Sequence, residues 1–219
     1  MKISWLHRSG NKNLIIFFSG WSIEPSDMEF LNSENFDVVM LHGVRSNDIP
    51  EFNFCGYEHK IVVAFSFGVF LSAMLEKITL GANEKYAING TLKPIDNNFG
   101  IRESIFQKTM EDLSPETLEM FRQNLFDDET SISRFSENSK NDDIEILKKE
   151  LEFIHHCTKS CDVCNCDFDK VLISKNDKII SYKNQMRFWA DKKTEIIDSG
   201  HFPFYVFSSW DEIVKQCRK

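Results

Sequence analysis

No stretch of this 219-residue chain approaches the ~20 consecutive apolar residues that a membrane-spanning helix needs. Its opening residues, MKISWLHRSGNKN, also lack the continuous apolar core of an export signal. Both absences lead to the expectation of a cytoplasmic protein with no membrane partner. Positive charge is scarce as well, since 26 Lys and Arg face 34 Asp and Glu for a formal net charge of −8. General nucleic-acid binding relies on a basic footprint, so that class is set aside. There is no internal repeat, and the nearest approach to low complexity is the polar stretch 128–143. Six cysteines without an export signal read as thiols or metal ligands rather than disulfides.

What the chain does have suits one domain with a real core. Hydrophobic residues make up 42% of it and aromatics 13%, with 20 Phe. Short apolar runs mark strands at 2–7, 14–18, 36–41, 61–65, 85–88, 170–174 and 194–198. Leu14-Ile15-Ile16-Phe17-Phe18 is apolar throughout, as expected of a strand covered on both faces. The alternation of these runs with helical patterns predicts an α/β fold with a mostly parallel sheet.

Between 99 and 160 the rhythm changes to helices. Ser114-Pro115-Glu116 combines an N-cap serine, proline at the first helical position and an acid in the first turn. Ile144, Leu147, Leu151 and Ile154 form one apolar stripe. The expected organisation is a core of 1–98 and 161–219 with a helical cap inserted at 99–160. Further helices on the sheet would give the same pattern.

The chain is organised around residues 60–78. Ile61-Val62-Val63-Ala64-Phe65 is a strand that breaks at Ser66 and passes through Phe67-Gly68 into an apolar helical pattern. A strand entering a helix through Ala-x-Ser-x-Gly has the form of a nucleophile elbow, whose strained turn lifts the serine hydroxyl out of the sheet. Small neighbours on either side, here Ala64 and Gly68, make room for that turn. Further signals follow in order. Asp177 lies just past the strand 170–174, and Gly200-His201 just past the last strand. Ser66, Asp177, His201 is the chain order of α/β-hydrolases. Serine needs the imidazole of His201 to take its proton and return it to the leaving group, while Asp177 would hold the imidazole tautomer. Asp198, nearer to His201 in sequence, is the rival acid. The N–H groups of Phe67 and of Trp21, in the loop Ser19-Gly20-Trp21-Ser22, are candidate donors to an oxyanion.

With these residues in place the chain resembles the BioG-type pimeloyl-[acyl-carrier protein] methyl ester esterases of biotin synthesis. The resemblance rests on Phe18-Ser19-Gly20-Trp21, Ala64-Phe65-Ser66-Phe67-Gly68 and Ile88-Asn89-Gly90-Thr91. It continues through Asn98-Phe99-Gly100-Ile101, Ser174-Lys175-Asn176-Asp177-Lys178-Ile179 and Gly200-His201. It spans residues 14–215 and implies an α/β-hydrolase with a helical cap; a monomer without a cofactor is the accompanying expectation. The implied substrate is the pimeloyl methyl ester on an acyl-carrier protein, with Ser66 as nucleophile, His201 as base and acid, and Asp177 as its orienter. An acidic carrier needs a local basic surface, for which Arg102, Lys108, Arg122 and Arg134 are the candidates.

The resemblance leaves one run unexplained. His155-His156-Cys157 is followed by Cys161, Cys164 and Cys166, a candidate soft-metal site or a reduced Cys-rich connection. Two other functions stay open at this stage. One is a thioesterase or general short-acyl esterase with the same triad, and the other a non-catalytic metal-binding or redox module.

Overall fold

The structure, a computed structural model, describes residues 1–46, 48, 54–137, 143–160 and 166–219. Seven strands form one sheet: β1 (Lys2–His7), β2 (Asn13–Phe18), β3 (Phe36–His42), β4 (His59–Phe65), β5 (Glu84–Ile88), β6 (Lys170–Ser174) and β7 (Thr194–Ile197). Their spatial order is β1-β3-β2-β4-β5-β6-β7, and every pairing is parallel except that of β1 with β3. All seven strands fall where the sequence pattern places them.

The period-two geometry of a strand sends alternate residues to opposite faces, and the core divides accordingly. Ile15, Phe17, Val38, Met40, Ile61, Val63 and Phe65 join one buried cluster. Leu14, Ile16, Phe18, Val39, Leu41, Val62 and Ala64 join the other. Both sets are needed because helices cover both faces, which is why these strands read as continuous apolar runs.

Helices α1 (Phe67–Met74) and α2 (Glu76–Thr79) follow the central strand β4, with a break at Leu75 where one continuous helix was expected. The stretch between β5 and β6 holds α3 (Glu103–Glu111), α4 (Pro115–Gln123), α5 (Glu129–Glu137) and α6 (Ile144–Ser160). Ser114 caps α4 as the sequence suggests, with its hydroxyl accepting from Thr117 N. Helix α5 lies inside the stretch taken for merely polar and buries Phe135. Helices α7 (Tyr182–Phe188) and α8 (Trp210–Arg218) complete the two layers. Helices α3, α4 and α6 have an apolar centre of their own, in which Phe106, Leu118, Leu147, Leu151 and Ile154 pack with Trp21 and Phe67 of the core. Among the described residues, no helix is long and apolar enough to cross a membrane.

Candidate active site

Backbone strain marks the place where the chemistry gathers. Among the described residues, the non-glycine residues with positive φ are Ser22 (62°), Ser66 (55°) and Asn89 (47°). They lie just beyond the carboxyl ends of the neighbouring strands β2, β4 and β5, the edge at which parallel α/β sheets bind ligands. Left-handed backbone at non-glycine residues costs energy and persists only where surrounding structure enforces it.

The enforcement at Ser66 is visible in its neighbours. Ser66 N donates to Ile88 O at 3.0 Å. A Cβ on Gly68 would stand 2.2 Å from Phe18 O, so helix α1 can start this close to β2 only with glycine there. A Cβ on Gly90 would stand 2.4 Å from Ser66 O. Both positions are closed to any side chain by backbone atoms that cannot move aside. The hydroxyl of Ser66 is thereby directed to His201, whose Nε2 lies 2.8 Å from Ser66 Oγ. On the other side of the ring, Nδ1 of His201 lies 2.7 Å from Asp177 Oδ2. All three side chains are buried, with His201 1% exposed.

Asp177 holds its place through the turn that follows β6. Its Oδ1 accepts from Ile179 N at 2.8 Å and Ile180 N at 2.9 Å. The rival Asp198 points elsewhere, its Oδ1 accepting from Asn176 Nδ2 at 3.1 Å. The backbone of His201 is fixed by Asn89, whose side-chain amide donates to His201 O at 2.7 Å and to Ser174 Oγ at 2.8 Å. Its Oδ1 accepts from Ser174 N at 2.7 Å. Asn89 reads in sequence as a turn residue, yet this fully buried amide joins β5, β6 and the histidine loop. Asp127, between α4 and α5, accepts from Gly200 N at 3.1 Å and Asn176 Nδ2 at 2.7 Å, tying the inserted helices to both loops.

The loop after β2 passes directly beside the serine, since a Cβ on Gly20 would stand 3.0 Å from Ser66 Cβ. Among the described residues, the N–H groups of Trp21 and Phe67 have no hydrogen-bond acceptor. Phe67 N–H is also the first amide of α1, at the positive end of its dipole. The indole of Trp21 is anchored at its far end, with Nε1 donating to Leu147 O of α6 at 3.0 Å.

A cavity of about 510 Å³ opens from Trp21 and Phe67 between α3, α4 and α6. Ile101, Phe106, Phe121 and Leu151 make its wall apolar, while Lys108 and the half-exposed Ile105 stand on its lining. The four basic candidates separate. Lys108 lines the cavity, and Arg102 is exposed at the start of α3. The guanidinium of Arg134 lies 4.5 Å from the Phe30 ring and 4.1 Å from that of Tyr205. Arg122 corrects the expectation: one helical turn after Leu118, it shares the inward face of α4 and is only 9% exposed.

Of the cysteine run, Cys157 is buried on α6, and Cys166 is half-buried with its thiol pushed up by burial. Cys161 and Cys164 lie outside the described residues. Among the described residues, no three or more His, Cys, Asp and Glu side chains gather as metal ligands do.

A seven-stranded, mostly parallel sheet with a Ser66–His201–Asp177 array at its carboxyl edge is the architecture of an α/β-hydrolase. In agreement, an esterase from Exiguobacterium antarcticum superposes over 99% of this chain and 95% of its own, with a TM-score of 0.67 at 11% identity, a likeness of fold alone. The family model described as pimeloyl-ACP methyl esterase BioG matches residues 1–213, and the chain belongs to that family. The crystal structure of BioG from Haemophilus influenzae is similar at a TM-score of 0.88 and 25% identity, covering 97% of this chain and 99% of that one. A malonyl-[acyl-carrier protein] O-methyltransferase of Bacteroides fragilis is 30% identical over 194 residues, or 87% of this chain. The present chain spans only 40% of that relative's length.

Proposed function

We propose that this chain is a cytoplasmic, monomeric serine esterase that hydrolyses the methyl ester of pimeloyl-[acyl-carrier protein] in biotin synthesis. The observation that carries the reading is the continuous array from Ser66 Oγ through the His201 ring to Asp177 Oδ2, with contacts of 2.8 and 2.7 Å. His201 Nε2 takes the Ser66 proton as Oγ attacks the ester carbonyl, and Asp177 stabilises the imidazolium that forms. Negative charge then develops on the carbonyl oxygen, where the N–H groups of Trp21 and Phe67 receive it. A donor in this role is worth ~3–4 kcal/mol. Collapse of the tetrahedral intermediate releases methanol, protonated by His201, and leaves the acyl group on Ser66. Water activated by His201 then frees the carboxylate.

The family supports the choice of ester. So does the name of the Bacteroides relative, which methylates an acyl group on a carrier protein, because removal of such a methyl group is the complementary reaction. The apolar cavity beside Trp21 and Phe67 suits an aliphatic chain, and the inserted helices act as a cap over it. Lys108 and Arg102, and separately Arg134 beside Phe30 and Tyr205, give an acidic carrier protein its basic contacts.

Two experiments test the proposal. A fluorophosphonate should label the wild type and leave Ser66→Ala unlabelled. Expression should restore biotin-independent growth to a strain lacking its own pimeloyl-ester esterase. Labelling without restored growth would favour a thioesterase or general short-acyl esterase over the proposed substrate. Absence of labelling in folded protein would remove the serine mechanism.

A further inference from the structure

Asp177 is surrounded by four donors. Two are backbone amides on Oδ1, and the third is His201 on Oδ2. The fourth is the side chain of Gln185 on α7, whose Nε2 donates to the same Oδ2 at 2.8 Å. Gln185 is 0% exposed, and Nε2 also donates to Ile180 O at 2.8 Å. The orientation of its amide follows from chemistry, because both neighbours are acceptors and a reversed amide would set Oε1 against two oxygens. Its own Oε1 has no partner among the described residues. The fold thus leaves one buried acceptor unsatisfied in order to aim two donors, an arrangement that calls for a functional explanation.

We infer that Gln185 is a positioning residue of the hydrolytic array, locking the Asp177 carboxylate in the rotamer that presents Oδ2 to His201. With the backbone amides of Ile179 and Ile180 it fixes both carboxylate oxygens, so the group cannot turn about its last bond. Four donors and no acceptor suit the anion, which is the form that can receive the His201 N–H. Gln185 touches neither substrate nor Ser66 and acts only through Asp177.

This inference rests on the serine-hydrolase reading, so the test separates the two. Labelling of Ser66 by a fluorophosphonate, absent in Ser66→Ala, establishes the underlying chemistry. Steady-state hydrolysis of a short-chain nitrophenyl ester then compares wild type with Gln185→Met, which keeps the length and removes both donors. The expected result is a roughly 10–100-fold loss in kcat, as for other small misplacements at a reacting centre, with KM little changed. In an Asp177→Ala background, followed by labelling rate, the same substitution should change the rate by less than about two-fold, because its route to the chemistry has gone. An equal loss in both backgrounds, or unchanged kcat in the single variant, would overturn the inference. Should Gln185→Met deplete the folded enzyme, Gln185→Asn, which keeps the amide but shortens its reach, is read by the same criteria.

Discussion

Glu150 offers the sharpest quantitative test of how the inserted helices are docked. It lies on α6 and is 6% exposed, with its Oε1 3.5 Å from where a Cβ on Gly43 would stand. Glu24, Arg45, Lys2 and the N-terminus surround it at longer range. Burial, reinforced by the nearby Glu24 charge, pushes its carboxyl up from 4.5 to about 7. The folded protein therefore binds this proton more tightly than the unfolded chain does. Stability contributed by the neutral carboxyl is present below pH 4.5 and is lost as pH rises toward 7, with no further loss above that. At ~1.4 kcal/mol per pH unit, the full loss is roughly 3 kcal/mol. Glu150→Gln keeps the shape and abolishes the titration. It should match the wild type at pH 4.5 and exceed it by up to roughly 3 kcal/mol at pH 8.5, or about 6–12 °C in Tm. Urea or thermal unfolding followed by circular dichroism across this range reads the difference directly. A gap between the two proteins that is independent of pH would refute the reasoning, and so would one that grows as pH falls.

Other outcomes follow from contacts already described. Asp177→Ala should lower kcat on an ester by about 10³–10⁴-fold, whereas Asp198→Ala should stay within a few-fold of wild type, and parallel kinetics would expose a wrong choice of acid. Asn89→Ala removes the donor to His201 O and both contacts to Ser174; a roughly 10–100-fold fall in kcat is expected in steady-state assays. Gly68→Ala places a Cβ 2.2 Å from Phe18 O, so soluble, fully active protein from that variant would contradict the packing of α1 on β2. Trp21→Phe deletes the indole donor to Leu147 O but keeps the backbone N–H. It should cost about 0.5–1.5 kcal/mol of stability, measured by unfolding, and lower kcat by roughly 10-fold or more, because the loop it anchors is freed.

How much of this could be read from the sequence depended on whether a signal is local. The strands were legible because burial on both faces turns each into an apolar run. Ser66 and His201 were legible because elbow chemistry demands small residues beside the serine and a loop just past a strand. Helix α5 was missed because nine residues with a single fully buried side chain, Phe135, carry too weak a periodicity. Arg122 was misjudged because its charge suggested solvent, while its spacing from Leu118 already placed it on the inward face. Gln185 left no sequence signal, and Asn89 showed only as a turn residue and as part of the motif Ile88-Asn89-Gly90-Thr91. Their partners lie on other segments, and only the folded chain brings a buried amide to a carboxylate or a loop carbonyl. Asp177 could be preferred over Asp198 by position, but the direction of each carboxylate is a tertiary fact.

Trp21 has a consequence for any attempt to exchange the inserted helices for those of a relative. In the proposed mechanism its backbone N–H serves the reacting carbonyl, and its ring is bolted to Leu147 O and lies edge-on to Phe121, 4.8 Å between centroids. The insertion is therefore no interchangeable module laid over a finished catalyst. A donor segment whose helix does not bring a backbone carbonyl to the place of Leu147 O would free the loop proposed to supply the anion donor. A chimera of that kind would fold its sheet correctly and still turn over slowly. Successful grafts will have to carry the tryptophan loop and α6 together as one unit.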